Sequence, residues 1–257
     1  MLPAAGLASI ALLAVLAPVT LPRVPDAIDL ANVRAAPGWA HWFGTDELGR
    51  DLFTRVVYGA RVSLFVGGLS AVVSAVVGTT IGAVAGYARG WVDGALMRLT
   101  DAMLAVPRLP LLMIGAAIME PTVLGLTLLV GLAGWMETAR VVRAEALSIS
   151  ARPFMDAARA LGTGPTRLVW RHLIPNVLPT VAVATTLAVG RGILLESAMS
   201  FFGVGVRPPL ASWGSMLYQA QTTMSSEPWV AVFPGMFVFG TVLAINVIGG
   251  RLIPERH

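Results

Sequence analysis

The sequence contains no cysteine, and only 12% of its residues are charged. Without cysteine the chain can form neither a disulfide framework nor a thiolate metal site. Soluble domains carry about 25% charged residues, so this low share argues against a soluble domain. Lysine is also absent, and all 18 strongly basic residues are arginine.

Apolar residues are abundant instead. They make up 56% of the chain, and the mean hydropathy is +0.76. Several apolar runs approach the length of about 20 residues that a helix needs to cross a bilayer. The sequence therefore predicts an all-α integral membrane protein, with residues 1–257 forming a single transmembrane domain.

The apolar runs predict six membrane spans. Their approximate bounds are 2–21, 62–87, 99–119, 122–136, 177–199 and 229–248. A signal peptide is the alternative for the first run, but no basic residue precedes it and it exceeds the usual apolar core of about 7–15 residues. We therefore expect a retained helix that ends at Pro22 and Pro25. A tight turn is expected at Glu120-Pro121, between the third and fourth spans.

The segment 22–61 is predicted to lie outside the cytoplasm. Apolar periodicity near its end predicts a helix over Glu47–Ala60, with Asp46 as the N-cap. Residues 89–98 are predicted to form a loop, and Pro107 and Pro110 are predicted to break the third span. The second span repeats glycine every four residues, which predicts a close packing face. The repeating glycines are Gly78, Gly82 and Gly86.

Positive charge is concentrated in residues 140–175. Six arginines stand there against Glu145 and Asp156, and 6 − 2 = +4 equals the formal net charge of the whole chain. Basic loops between spans remain in the cytoplasm, so this segment is predicted to be cytoplasmic. A phosphate-binding patch is the alternative, but apolar spans flank the segment on both sides. Alternation of the spans then places 200–228 outside and both termini in the cytoplasm.

The two segments around the fifth span also show local patterns. In 140–175, Pro153 favours the start of a helix, Gly162 favours its end, and a second helix is expected over Thr166–Leu173. Two short helices would form a compact knob for a partner protein, or an ordinary helical hairpin. In 200–228, a short helix is expected from Trp213 to Gln221. Trp213 and Trp229 are expected at the membrane interface.

The sequence Asp156-Ala157-Ala158, followed by Gly162, resembles the Glu-Ala-Ala-x3-Gly loop of ABC importer permeases, with Asp in place of Glu. Further stretches resemble the dipeptide, oligopeptide and nickel permeases of that family, closest to the second of their two permease subunits. These stretches are Arg171–Asn176, Gly44–Leu52, and Glu196–Val206 with Pro208-Pro209 and Ser212-Trp213-Gly214.

The resemblance implies a bundle like that of type I ABC importer permeases, with a coupling helix that docks on a cytoplasmic ATPase. The chain would form half of a translocation pathway in a bacterial inner membrane, for peptides or a related small solute. Dipeptides, oligopeptides, nickel chelates and haem-like ligands stay open as substrates. The residues that match the docking motif, or lie within it, are Asp156, Ala157, Ala158, Arg159, Leu161 and Gly162.

The same resemblance implies the partners. They are a second homologous permease, two ATPase subunits that bind ATP and Mg²⁺, and an extracytoplasmic solute-binding protein. This chain itself is expected to hold no cofactor and to catalyse no reaction. The alternative is a self-sufficient, ion-driven secondary transporter. It would need ion sites near the middle of the membrane and often has internal repeats, but the sequence displays neither a repeat nor a cluster of intramembrane acids.

Two ionisable residues fall within the fifth span. Arg191 lies about 20 Å along the helix from Val177, and Glu196 follows five residues later. Intramembrane charges are costly and mark candidate functional sites, so both are predicted to belong to the translocation pathway. For Arg191, pairing with another subunit or reaching out to the interface is the alternative. The scattered histidines have no metal-ligand spacing, and no metal site is predicted. They are His41, His172 and His257.

Overall fold

The computed structural model describes residues 2–21, 24–119 and 122–252. This part of the chain is helical and contains no strand beyond a single bridge between Thr45 and Asp51, so the all-α prediction is confirmed. The helices are α1 Leu2–Thr20, α2 Leu52–Ala88, α3 Gly90–Ala105, α4 Arg108–Ile118, α5 Val123–Leu132, α6 Trp135–Ser150, α7 Pro153–Ala160, α8 Pro165–Leu168, α9 Ile174–Phe201, α10 Trp213–Ala220 and α11 Trp229–Arg251. The features predicted at Pro22, Glu120-Pro121 and His257 lie outside the described residues.

The number of spans follows from helix length. Three continuous helical runs are long and apolar enough to cross a membrane: α2, the run from Pro165 to Phe201, and α11. Two bent pairs, α3 with α4 and α5 with α6, raise the count to five if each pair is one span. The apolar part of α1, Ala4–Val19, is shorter than these runs. The predicted count of six therefore stays a prediction.

Helix α2 begins later than predicted, at Leu52, and its N-cap is Asp51, whose carboxylate accepts from Thr54 N. The Asp46 carboxylate cannot cap a helix because it closes a turn instead. It accepts from the backbone N–H groups of Leu48 and Arg50 at 2.9 and 3.0 Å. The predicted helix over Glu47–Ala60 is therefore wrong for its first five residues.

The third predicted span is two helices that meet at 86°. Its break lies at Val106-Pro107, as the sequence predicted for Pro107, whereas Pro110 fits within the first turn of α4. Proline is tolerated there because the first N–H groups of a helix have no partner within it. The predicted loop over residues 89–98 is wrong, because α3 already begins at Gly90.

Helices α5 and α6 also form a bent pair, with an angle of 40°. The predicted span 122–136 ends at Leu132, and the chain continues as α6 through Ser150. Two arginines of the predicted basic loop are therefore helical. Arg143 pairs with Asp93 of α3, with Nη2 2.6 Å from Oδ2, and Arg140 pairs with Asp101. Much of the positive charge is thus neutralised by acids on α3.

Helix α2 lies at the centre of the bundle and contacts α5, α6 and α9. The glycine stripe predicted on it is confirmed. A Cβ on any of its three glycines would lie within 2.6 Å of an atom of α6. The glycines are Gly78, Gly82 and Gly86. Close backbone approach of α2 and α6 therefore depends on the missing side chains.

Two predictions for the C-terminal half need correction. The short helix at Trp213 is confirmed as α10, but Trp213 is fully buried rather than interfacial, and its indole N–H donates to Val56 O at 2.9 Å.

The second helix of the basic segment does not end before Pro175. A π turn over Val169–Leu173 joins α8 to α9. Such a turn shifts the backbone hydrogen bonds, so that the helical run can continue although Pro175 has no N–H to donate.

Candidate functional site

The residues of the predicted docking motif lie on α7 and the turn after it. Pro153 occupies the first turn of α7, where its fixed φ suits a helix, and Asp156 adds a negative charge at the positive end of the helix. Gly162 ends the helix with φ +78°. Its N–H and that of Thr163 donate to Arg159 O and Ala158 O. The sequence prediction of this short helix is confirmed at both ends.

One face of α7 is anchored to the bundle. Met155 and Ala158 are buried in an apolar cluster contributed by the ends of three long helices. The cluster contains Ala83 of α2, Val142, Ala146 and Ile149 of α6, and Leu168, Leu173 and Val177 of the α8–α9 run. Helix α7 thus shares one apolar cluster with the ends of α2, α6 and α9.

The other face of α7 is exposed. Asp156, Ala157, Arg159 and Gly162 lie on it, and Leu161 is 86% exposed. Arg159 braces the helix, because its Nη1 lies 2.7 Å from Asp156 Oδ1 and its Nη2 lies 3.3 Å from Ser150 O. The short motif therefore divides into exposed and anchoring residues.

Ala158 belongs to the anchoring residues, being only 9% exposed. The sequence motif does not distinguish it from Ala157, its exposed neighbour. The predicted contact between Ala158 and an ATPase therefore stays a prediction that this burial does not favour. The small size of Ala158 serves packing within the chain itself.

Arg191 pairs inside its own chain, with Glu137 of α6. Glu137 also accepts from Arg108, whose Nη2 lies 2.7 Å from Oε1. The sequence alternative, in which Arg191 pairs with another subunit, is therefore not needed to neutralise it. Arg191 nevertheless lines a cavity of about 770 Å³ between α6 and α9. Its predicted pathway role stays a prediction.

Glu196 is placed differently, since it is only 2% exposed. Its carboxylate accepts from the hydroxyls of Ser63 at 3.2 Å, Ser200 at 2.7 Å and Ser212 at 2.7 Å. These donors come from α2, α9 and the N-cap of α10. Glu196 therefore links three elements within the chain, and its predicted contact with a solute stays a prediction that this burial does not favour.

Glu137 and Arg108 were not singled out as site residues by the sequence. Both lie close to a break in an apolar span: Arg108 directly follows Pro107, and Glu137 is the third residue after Gly134. An ionisable residue beside a proline or glycine break in a span is the signal that finds them. Within residues 2–21, 24–119 and 122–252, no group of three His, Cys, Asp or Glu side chains is placed to hold a metal ion.

Comparison with protein families gives one match over most of the chain. Residues 78–255 match the model of the binding-protein-dependent transport system inner membrane component. The oligopeptide transport system permease protein OppC of Escherichia coli K12 is 41% identical over 245 residues, which are 95% of this chain and 81% of that protein. The dipeptide transport system permease protein DppC of Alkalihalophilus pseudofirmus is 36% identical over 244 residues, 95% of this chain and 80% of that protein.

Among solved structures, the fold is similar to that of a chain in the inward-facing MetNI methionine ABC transporter. The TM-score is 0.60 at 19% sequence identity, covering 79% of this chain and 98% of that chain. The overall fold is therefore similar to one already known from a transporter.

Proposed function

Because this chain belongs to the family of binding-protein-dependent transport system inner membrane components, it is the membrane subunit of an ATP-driven importer, and we propose that its cargo is a peptide or a related small solute. The cargo proposal is supported by the relatives, which are oligopeptide and dipeptide permeases. The chain covers about four fifths of each, so the comparison involves most of the membrane domain.

The exposed face of α7 is the observation that carries the coupling mechanism. Met155 and Ala158 are buried in an apolar cluster that also contains residues of α2, α6 and α9, while Leu161 and its neighbours are exposed. We infer that a separate ATPase docks there, on Asp156, Ala157, Arg159, Leu161 and Gly162. Closure of the ATPase would move α7, and the anchoring side chains would pass that motion to α2, α6 and α9.

The remaining parts of the machine lie outside this chain. We propose a second permease of the same family, two ATPase subunits that bind ATP and Mg²⁺, and an extracytoplasmic solute-binding protein that delivers the cargo. This chain would bind no cofactor and catalyse no reaction. It is a multi-pass inner membrane protein, and the excess of arginine near α7 supports placing α7 and both termini in the cytoplasm.

Substitution of Leu161 tests the docking surface. A charged side chain in the centre of a protein interface is strongly unfavourable, so we expect Leu161→Glu to lower peptide uptake about tenfold or more. The matched control is Leu252→Glu, at an exposed leucine just beyond α11. Uptake is measured in proteoliposomes that contain the complete purified complex. Retention of the ATPase subunits is measured by mass spectrometry of the same preparation.

The control variant should retain uptake within about twofold of the unmodified complex and the same subunits, because one exposed side chain has little effect elsewhere. Full uptake by Leu161→Glu would contradict docking at this face. A large substitution at Ala158 is a poorer test, since this buried residue would disturb the packing of α7 regardless of any partner. Recovery of a chain that transports peptide alone, without ATP, would refute the importer assembly.

A further inference from the structure

Three charged side chains from three spans converge beside a cavity between α6 and α9. Arg108 comes from α4, Glu137 from α6 and Arg191 from α9. Arg108 donates to one carboxylate oxygen of Glu137, over 2.7 Å, and Arg191 pairs with the other oxygen. One carboxylate is thus shared by two guanidinium groups.

The convergence lies where the broken spans meet the continuous one. Arg108 is the first residue of α4, after the 86° bend, and Glu137 lies in the first turn of α6, after the 40° bend. Arg191 lies roughly 26 Å along α9 from Ile174 at 1.5 Å per residue. The N-terminal ends of α4 and α6 carry partial positive charge. Both helix ends therefore add to the positive potential of the two arginines.

The charges of this triad do not cancel. Two guanidinium groups against one carboxylate leave an excess of one positive charge, on side chains that are 21–40% exposed. This excess favours an anion at the site. Each guanidinium has five N–H donors in a planar fork that matches a carboxylate. Glu137 engages one terminal nitrogen of each arginine. The N–H groups that Glu137 does not engage give a peptide carboxylate a first contact with the triad, from which it can replace Glu137 on both arginines.

The adjoining cavity has a suitable size and lining. Its volume is about 770 Å³, within the range of about 300–1,000 Å³ that is usual for small-molecule sites. Glu137 and Arg191 lie at one end, and Glu145 lies farther along α6. The walls between them are mostly apolar or carry hydroxyls, and are formed by Thr138, Val141, Ala144, Ser148, Thr180, Val183, Ala184 and Leu187.

The two ends of the cavity match the two ends of a short peptide. Glu145 follows Glu137 by eight residues, or about 12 Å along a helix. An extended tripeptide spans about 10–11 Å. A peptide whose carboxylate meets the arginines would therefore bring its ammonium group close to the Glu145 carboxylate. Apolar and hydroxyl-bearing walls accept varied side chains without specifying one.

We propose that Arg108 and Arg191 form a carboxylate site for the C terminus of a short zwitterionic peptide, and that Glu137 occupies this site until the peptide displaces it. The inference rests on the proposed peptide cargo. Glu137 acts as an internal competitor, which neutralises the arginines when no cargo is present. The released Glu137 side chain turns toward the water of the cavity, to which it is already partly exposed.

Opposite substitutions in the triad test this proposal. The probes are Ala-Ala-Ala and its C-terminal amide. Their uptake is measured with the complete complex in proteoliposomes, and the same unmodified binding protein is used throughout. A charge-assisted hydrogen bond to the carboxylate is strong enough to make uptake of the free acid about tenfold higher than uptake of the amide. Arg191→Gln or Arg108→Gln should reduce this ratio to about one. Glu137→Gln should lower the KM for the free acid, because the competing carboxylate is gone.

The control variant is Arg140→Gln, which breaks an exposed ion pair of α6 outside the triad and should leave the preference unchanged. If Arg191→Gln fails to assemble, Arg191→Lys replaces it, and a lysine should reduce the preference because it lacks the bidentate fork. An unchanged preference in an assembled arginine variant would overturn the proposal. The proposal would also be overturned if the Glu137 and Arg191 variants lost uptake to the same extent and kept the preference for the free acid. That result would mean that the triad has a purely structural role.

The peptide cargo and the carboxylate site are refuted by different results. If the unmodified complex takes up neither probe, the peptide cargo itself is refuted. If it takes up the acid and the amide equally well, the cargo stands and the carboxylate site is refuted.

Discussion

At the scale of single residues, Gly162 owes its identity to backbone conformation. Its φ is +78°, and a Cβ added to it would meet nothing within 4 Å. A left-handed backbone is unfavourable for residues with a Cβ, whatever the space around them. Glycine here allows the chain to leave α7 while the N–H groups after the helix close on its last carbonyls.

Replacement of Gly162 by alanine should therefore loosen the end of α7. We expect a strain of about 1–2 kcal/mol, which accelerates amide exchange at the α7 C terminus about fivefold or more. The measurement is hydrogen–deuterium exchange of the segment 153–163 in the purified complex. Gly164→Ala is the matched control, because Gly164 is equally open but has φ −64°.

Equal exchange in the two variants would contradict the conformational role of Gly162. The comparison isolates the backbone effect, since both glycines are exposed and a Cβ on either would meet nothing within 4 Å.

The residue pattern predicted α7 well and its contacts less well. Pro153 and Gly162 are local signals, and they marked the start and the end of the helix correctly. Which of Ala157 and Ala158 faces the bundle depends on how the helix is rotated against α2, α6 and α9. That rotation is fixed by long-range packing of Met155 and its neighbours, which a short motif does not contain.

At the scale of elements, the contact between α2 and α6 shows how glycine spacing sets helix distance. A Cβ on Gly82 would lie 2.5 Å from Ala139 O and 2.8 Å from the Cβ of Val142. Backbone oxygen cannot move aside as a flexible side chain can. The two helices therefore approach as closely as their main chains allow, and dispersion contacts replace a hydrophobic driving force in the bilayer.

Alanine at Gly82 should force these helices apart. Overpacking of a tight contact costs about 1–3 kcal/mol, so we expect a lower midpoint of thermal unfolding for the detergent-purified chain with Gly82→Ala. Gly68→Ala is the control on the same helix, because a Cβ there would meet nothing within 4 Å. Equal midpoints for both variants would mean that the glycine stripe does not set the distance between α2 and α6.

Element boundaries were the least predictable feature, and the reasons are physical. The start of α2 moved from Glu47 to Leu52 because the Asp46 carboxylate binds backbone N–H groups in a turn. The helical run continued past Pro175 because a π turn removed the conflict that proline creates. In both cases a local propensity was overridden by a hydrogen-bonding arrangement that only the folded chain reveals.

At the scale of the whole molecule, buried charges join segments that are far apart in the sequence. Arg55 is only 2% exposed. Its Nη1 lies 2.9 Å from Asp26 Oδ1, its Nη2 lies 3.2 Å from Gln219 Oε1, and its Nε lies 3.7 Å from Asp46 Oδ2. The segment after α1, the loop before α2, and α10 are thus held together at one end of the bundle.

Networks of this kind lie beyond sequence reasoning for a chain with few charges. The stretch from Gly44 to Leu52 was recognised as a family resemblance, but nothing in its residues indicated that Arg55 would meet Gln219, 164 positions away. The Arg108–Glu137–Arg191 triad was missed for the same reason. Each member sits in a different span, and only the crossing of broken and continuous helices brings them together.

Removal of Arg55 should therefore destabilise the whole bundle rather than one helix. Loss of one partner from a buried ion pair costs about 3–5 kcal/mol, because the remaining charge loses its counter-ion. Asp46 retains Arg50, whose Nε lies 2.7 Å from Oδ2, and we therefore expect the lower end of that range for Arg55→Met. Thermal unfolding of the purified chain in detergent measures the loss.

The matched control for this change is Arg140→Met. Arg140 and Asp101 form an ion pair whose side chains are 52% and 56% exposed, and exposed pairs contribute about 1 kcal/mol or less. The unfolding midpoint should therefore fall clearly for Arg55→Met and hardly at all for Arg140→Met. Equal midpoints would show that the network around Arg55 is as weak as a surface pair. The segment after α1, the loop before α2, and α10 would then have to be held together by their other contacts, such as the hydrogen bond from Trp213 to Val56 O.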